Sequence, residues 1–209
     1  MSQSGLAGLL AEAAVAAASD SPAGRCRLAV DGPVLDDAAA LADAVAVALT
    51  DRAVPVARVR AGDWLRARSL RLELGRADPR SYLEGWFDAG ALRREVLDPL
   101  GRPGPSSWLP RLRDPQTDRS SRQARREAPP GLVAVLDIPF LTRWQTRDAV
   151  DLLVLLDVSP AARTRRMPHA EQARALPAWQ DYLDVYLPEQ VARYVVRYDH
   201  PGSPALVER

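Results

Sequence analysis

Lysine is missing from this sequence: all 28 of its basic residues are arginine. Any mechanism that needs a lysine ammonium is therefore closed to the chain. Cysteine is nearly missing as well. The single residue, Cys26, cannot form an internal disulfide, so nothing points to an oxidising compartment. No apolar run approaches the ~20 residues needed to span a bilayer. The alanine-rich stretch 6–18 is interrupted by Glu12 and follows no basic residue, which reads as a surface helix rather than a signal peptide. An excess of either charge is also lacking. Twenty-eight basic residues against 27 acidic ones leave a net charge of +1, which gives no global reason to expect nucleic acid or an anionic membrane as a partner. The two histidines, His169 and His200, stand alone, with no metal-ligand pattern around either. These absences lead us to expect a soluble cytoplasmic protein.

What is present suits one compact domain: 209 residues, 47% of them apolar. Residues 25–30 read as a strand ended by Asp31-Gly32-Pro33, and 37–49 as a helix with Leu41, Val45, Ala48 and Leu49 on one face. A second strand covers 54–59. A short helix covers 89–97 and is expected to stop at Asp98-Pro99. The uninterrupted apolar runs 132–136 and 152–156 suit strands buried on both faces. Residues 161–186 read as helix broken by Pro168 and Pro177, and 194–197 as a last strand. Strands alternating with helices imply a doubly wound α/β parallel sheet. The expected division is an N-terminal helix and linker, 1–22, then the α/β domain, 23–209. Within it, residues 102–130 form a mobile flap or loop.

A strand, a Gly-Pro turn and an amphipathic helix is where a phosphate-binding loop would sit, a weak signal on its own. An ordered set of further segments makes it specific. Asp63-Trp64-Leu65-Arg66-x-Arg68 follows the second strand, and Tyr82 precedes Trp86-Phe87-Asp88. The run from Ala91 through Asp98-Pro99-Leu100 comes next, then Thr117-Asp118-Arg119, Leu136-Asp137 with Pro139-Phe140-Leu141, and Asp157-Val158. This set resembles the uridine kinase branch of the uridine kinase and phosphoribulokinase family, over nearly the whole chain. The resemblance implies a P-loop fold and ATP- and magnesium-dependent phosphorylation of a pyrimidine ribonucleoside or similar small alcohol.

The family's loop reads Gly-x-x-x-x-Gly-Lys-Ser/Thr. Here Gly32 is the first glycine and Pro33 follows it. The second glycine falls on Asp37, the lysine on Ala38 and the magnesium-binding hydroxyl on Ala39. Losing a charge-assisted hydrogen bond costs ~1.5–3 kcal/mol. A carboxylate ~4 Å from a phosphate charge at an effective dielectric near 20 adds roughly 4 kcal/mol of repulsion. ATP-dependent transfer is therefore expected to be lost or greatly weakened, and Asp36 is expected to cap the helix with Asp37 in its first turn. A metal site on Asp36 and Asp37 is the sharper alternative. Two other readings stay open: an active phosphotransferase in which arginine replaces the lysine, and a non-catalytic scaffold, regulatory or small-molecule-binding protein.

The resemblance also implies roles elsewhere. Asp63, one position beyond the family's general base, is a base candidate, or else a cap or salt-bridge partner. Asp137 matches an acidic residue near magnesium and the phosphates, or else serves loop hydrogen bonds. Arg163, Arg165 and Arg166 lie where relatives carry lid arginines, or else are plain surface. Tyr82, Trp86, Phe87, Asp88 and Arg119 map to the acceptor side, although Trp86 and Phe87 fit a core equally well. Residues 111–127, with six arginines against three acidic residues, fit a flap over the acceptor cleft.

Overall fold

The computed structural model describes residues 1–208. In chain order the elements begin α1 (Gln3–Asp20), β1 (Cys26–Asp31), α2 (Leu35–Thr50) and β2 (Val56–Val59). Three short helices follow, α3 (Arg68–Arg71), α4 (Pro79–Gly85) and α5 (Ala89–Leu92). A π-helical turn over Arg93–Leu97 joins α5 to α6 (Asp98–Gly101), after which β3 (Ser107–Trp108) pairs with β4 (Arg126–Glu127) as a hairpin. The chain ends with β5 (Val133–Leu136), β6 (Leu152–Asp157), α7 (Pro160–Arg166), α8 (His169–Tyr186), β7 (Tyr194–Arg197) and β8 (Ala205–Glu208).

The main sheet has six strands in the order β2-β5-β1-β6-β7-β8, parallel except for β8. Alternation along the central strands divides the core between two helical layers. Cys26, Leu28, Val30, Val133, Val135, Val154 and Leu156 pack with α1 and α2. Ala29, Ala134, Leu136, Leu153 and Leu155 face the other layer, where α4 and α8 lie. Both faces are covered, which is why β5 and β6 read as unbroken apolar runs. Among the described residues no helix is long and apolar enough to cross a membrane.

Four local expectations need correction. First, α1 is not a surface helix: Leu6, Leu10, Ala11 and Ala14 are fully buried against the same core as β1. Alanine's small side chain hid the apolar stripe. Second, Asp98-Pro99 does not end the helix begun at Ala89. The π turn widens the ladder so that Asp98 N–H donates to Arg93 O, and the Glu95 carbonyl that Pro99 cannot serve accepts from Leu109 N at 3.1 Å. Third, Pro177 lies inside α8 rather than breaking it. It is exposed, as is Ala173, whose carbonyl loses a partner, so solvent can satisfy that group. Fourth, β1 includes Asp31, which pairs in register with Leu155 of β6.

Gly32, directly after β1, is required by space. A β-carbon there would lie 3.0 Å from Leu156 Cβ and 3.1 Å from its Cδ1. Because Leu156 is held in a central strand, Gly32→Ala should cost ~1–3 kcal/mol through overpacking. Urea unfolding of the variant beside the wild type measures it; an unchanged midpoint would show that Leu156 can yield.

Candidate functional site

In a parallel sheet ligands gather at the carboxyl ends of the strands. Only Gly32, Pro33 and Val34, all buried, separate the end of β1 from the first residue of α2. Asp36 is not the N-cap. Val34 is, because its carbonyl accepts from Asp37 N and Ala38 N, and Asp36 and Asp37 both fall in the first helical turn. Position 37, where a second glycine would let the backbone wrap phosphates, is already helical. Ala38 is buried and Ala39 half-buried, and neither supplies a charge or a hydroxyl. The cavity beside this turn holds about 100 Å³, and its charged lining residues are Asp36 and Glu171, both negative. These residues do not fit a magnesium-bound triphosphate. Among the described residues no group of three or more His, Cys, Asp or Glu could hold a metal.

Asp37 instead meets Arg166 at the end of α7, 2.9 Å away, although without the alignment of a hydrogen bond. Burial pushes the Asp37 carboxyl up, Arg166 pulls it down and neighbouring Asp36 raises it. Arg166 also donates to Tyr198 O at 2.9 Å, so it clamps α2, α7 and the end of β7 together. Arg163 turns back to Val158 O. Arg165 is exposed and, among the described residues, its side chain makes no hydrogen bond or ion pair.

Three carboxylates lie at or just beyond the carboxyl ends of β1, β2 and β5. Asp137 is fully engaged: Oδ2 pairs with Arg58 at 2.7 Å, and Oδ1 accepts from Ala61 N at 2.7 Å. Arg58 also holds Asp43 of α2, so Asp137 belongs to a bridge between β2, β5 and α2. Asp63 lies 2.6 Å from Arg111 in the 102–130 segment, and its carbonyl accepts from Leu112 N and Arg113 N. Burial raises its carboxyl, opposed by Arg111. The third carboxylate, Asp31, was not among the sequence candidates. It is completely buried and accepts from Phe140 N, Leu141 N and the Tyr182 hydroxyl, at 3.1, 3.2 and 2.6 Å. Burial outweighs these donors and pushes the carboxyl up to about 6. Phe140 adopts a left-handed backbone, φ +65°, an uncommon state for a bulky residue that its bond to Asp31 and its buried ring offset. A lone aspartate closing an apolar strand was the signal for this network.

On the acceptor side, Tyr82 and Phe87 are core residues. Their rings meet Phe140 edge-on, and Phe140 meets Tyr182 in turn. Asp88 caps α5 by accepting from Ala91 N at 2.8 Å. Arg119 is exposed beside Ser120 and Arg122, apart from these groups. Trp86 lines a cavity of about 440 Å³, walled by α3, the start of α8 and the segment containing Pro115 and Asp118. Sequence reading gave no site role to its arginines, Arg68, Arg71, Arg76 and Arg174. The first two stand three apart on one helical turn, and the others come from distant segments.

Two solved structures share this architecture. A possible uridine kinase from Bacillus stearothermophilus aligns with a TM-score of 0.66 and 21% identity, over 83% of this chain and 89% of that one. A candidate fructose transport system kinase from Silicibacter sp. TM1040 aligns at 0.56 and 21%, over 87% and 83%. The chain has a P-loop kinase fold. No protein-family model and no curated protein matches the sequence.

Proposed function

We propose that this chain is a uridine-kinase-like protein in which ATP-dependent phosphorylation of a pyrimidine nucleoside or similar small alcohol is lost or greatly weakened. The observation that carries this reading is the Asp37–Arg166 pair, 2.9 Å across. Phosphoryl transfer asks a protein for positioning and positive charge around the phosphates. Here a carboxylate of α2 meets an arginine of α7, and the charged side chains lining the adjacent cavity, Asp36 and Glu171, are both negative. A triphosphate would have to break that pair and face Asp36 and Asp37 with no ammonium to offset them. Tyr82, Trp86, Phe87 and Asp88, which the resemblance maps to the acceptor side, serve packing and capping instead.

One observation favours a second reading. Arg165 is unpaired among the described residues and could serve transfer in place of the lysine. Radiolabelled transfer from ATP with magnesium and a nucleoside panel, alongside calorimetric titration of ATP, separates the two. Our reading expects no saturable ATP binding below millimolar concentration and no turnover above background. Turnover abolished by Arg165→Ala but kept in Asp36→Ala would establish the second reading instead.

A further inference from the structure

Five of the exposed large apolar side chains among the described residues fall into two groups. Leu70 and Leu74 lie in and just beyond α3, Leu74 being 67% exposed. Trp144, Val185 and Leu187 lie where the loop after β5 meets the end of α8. Trp144 is 68% exposed, its ring 5.6 Å from that of Tyr186, while the chain's four other tryptophans are buried. Exposed apolar groups gathered in this way mark contact surfaces.

The two groups sit in opposite electrostatic surroundings. Residues 66–76 hold four arginines and one glutamate, Glu73, a net charge of +3. Residues 180–190 hold Asp181, Asp184 and Glu189 with no basic residue, a net charge of −3. Arg68 and Arg76 at one place, and Asp181 and Asp184 at the other, are exposed and form no ion pair among the described residues. Helix α8 holds the two places apart. Its first turns, at Ala170, Glu171 and Arg174, border the same cavity as Arg68 and Arg76, whereas Val185 and Tyr186 close its last turn. Eighteen residues at about 1.5 Å each put these ends roughly 25 Å apart. Between them Ala173, Pro177, Gln180, Asp181 and Asp184 form an exposed face, with Pro177 at the middle of the helix.

We infer that this face is a self-association surface, on which two copies pair with their α8 helices antiparallel about a two-fold axis near Pro177. Each end of α8 then meets the opposite end in the other copy. Leu70 and Leu74 of one copy cover Trp144, Val185 and Leu187 of the second, and a charge of +3 faces one of −3 at both ends. This self-complementarity is what selects a second copy as the occupant. A two-fold axis closes the arrangement, so association stops at two. The charges fix which end meets which, and the apolar groups supply the area removed from water. Neither ATP nor the turn after β1 takes part, so the pairing holds whether or not transfer survives.

Sedimentation velocity of the full chain, without ATP, tests this. The wild type should form a dimer at micromolar concentration, and acrylamide should quench Trp144 less in the dimer than after dilution to monomer. Asp181→Arg with Asp184→Arg, and separately Arg68→Glu with Arg76→Glu, should each weaken the dimer at least about tenfold, because like charges then face each other at both ends. All four side chains are exposed, so melting temperatures should stay near that of the wild type. Mixing the two double variants puts opposite charges face to face again and should restore the dimer. A wild type that stays monomeric overturns the inference, as does assembly beyond two copies. So does a dimer unchanged by either reversal, a mixture that fails to associate, or quenching unaltered by dilution.

Discussion

Arg25→Met should melt on the order of 10 °C below the wild type and open residues 102–130 to proteolysis. Arg25 is 3% exposed and sits just before β1. Its guanidinium donates to four backbone carbonyls: Leu100 O at 3.3 Å, and Ala128 O, Arg102 O and Gly104 O each at 2.7 Å. One side chain thus ties both ends of the 102–130 segment to the central strand. Methionine fills much of the volume but donates nothing. Each buried carbonyl left without a donor costs ~1–3 kcal/mol, and water can reach some of them, so a total of roughly 3–5 kcal/mol is expected. A chain of this size loses about 2–4 °C for each kcal/mol. Arg25→Lys should fall between the two, because a single ammonium cannot span four carbonyls. Scanning calorimetry and limited trypsin digestion read both effects. A methionine variant melting within about 2 °C of the wild type would mean that the segment is held by other contacts.

The second large effect is a pH dependence carried by Asp31. Burial raises its carboxyl from an ordinary value of 3.8 to about 6 in the folded chain, against the lowering influence of Tyr182, Phe140, Leu141 and Arg143. The unfolded chain releases this proton near pH 4, whereas the folded chain keeps it until about pH 6. Between those values the folded state binds more protons, so stability falls as pH rises, and above about pH 6 the whole penalty is present. The difference corresponds to roughly 3 kcal/mol. Asp31→Asn cannot ionise. The stability of the wild type relative to this variant should therefore fall by about that amount between pH 4 and pH 7, as measured by urea unfolding at each pH. The comparison cancels the other carboxylates, including Asp37 and Asp63, which burial also raises. If the three hydrogen-bond donors dominated instead, the difference would rise with pH, and the sign would refute the argument. Thr142 N and Oγ1 share the Tyr182 hydroxyl with Asp31, at 3.1 and 2.7 Å, so Tyr182→Phe should alter the same profile.

These two residues mark how far the sequence could be read. Arg25 looked like the first residue of a strand, and nothing local showed that its partners lie at residues 100–104 and 128. Asp31 looked like part of a turn. Its value as a buried acid depends on Phe140 and Tyr182, which are remote in the chain. By contrast, the sheet was legible, because strands buried on both faces must be apolar throughout. The tight turn after β1 was legible too, because Asp31-Gly32-Pro33 ends an apolar strand. Helix ends were less legible. Asp98-Pro99 and Pro177 should interrupt helices on local grounds, yet a π turn and a solvent-facing carbonyl let both continue.

By itself the sequence determined the α/β architecture, the absence of lysine, and the presence of Asp37, Ala38 and Ala39 in the first turn after Gly32-Pro33. Those are matters of composition and short-range pattern, which chain order preserves. The tertiary structure alone decided that Val34 and not Asp36 caps α2, that Asp37 meets Arg166, and that Tyr82 and Phe87 turn into the core. It alone gathered Arg68, Arg71, Arg76 and Arg174 around Trp86. Charge pairing and burial act through space, between residues as far apart as Asp31 and Tyr182, 151 positions along the chain, and no reading along the chain can supply that distance.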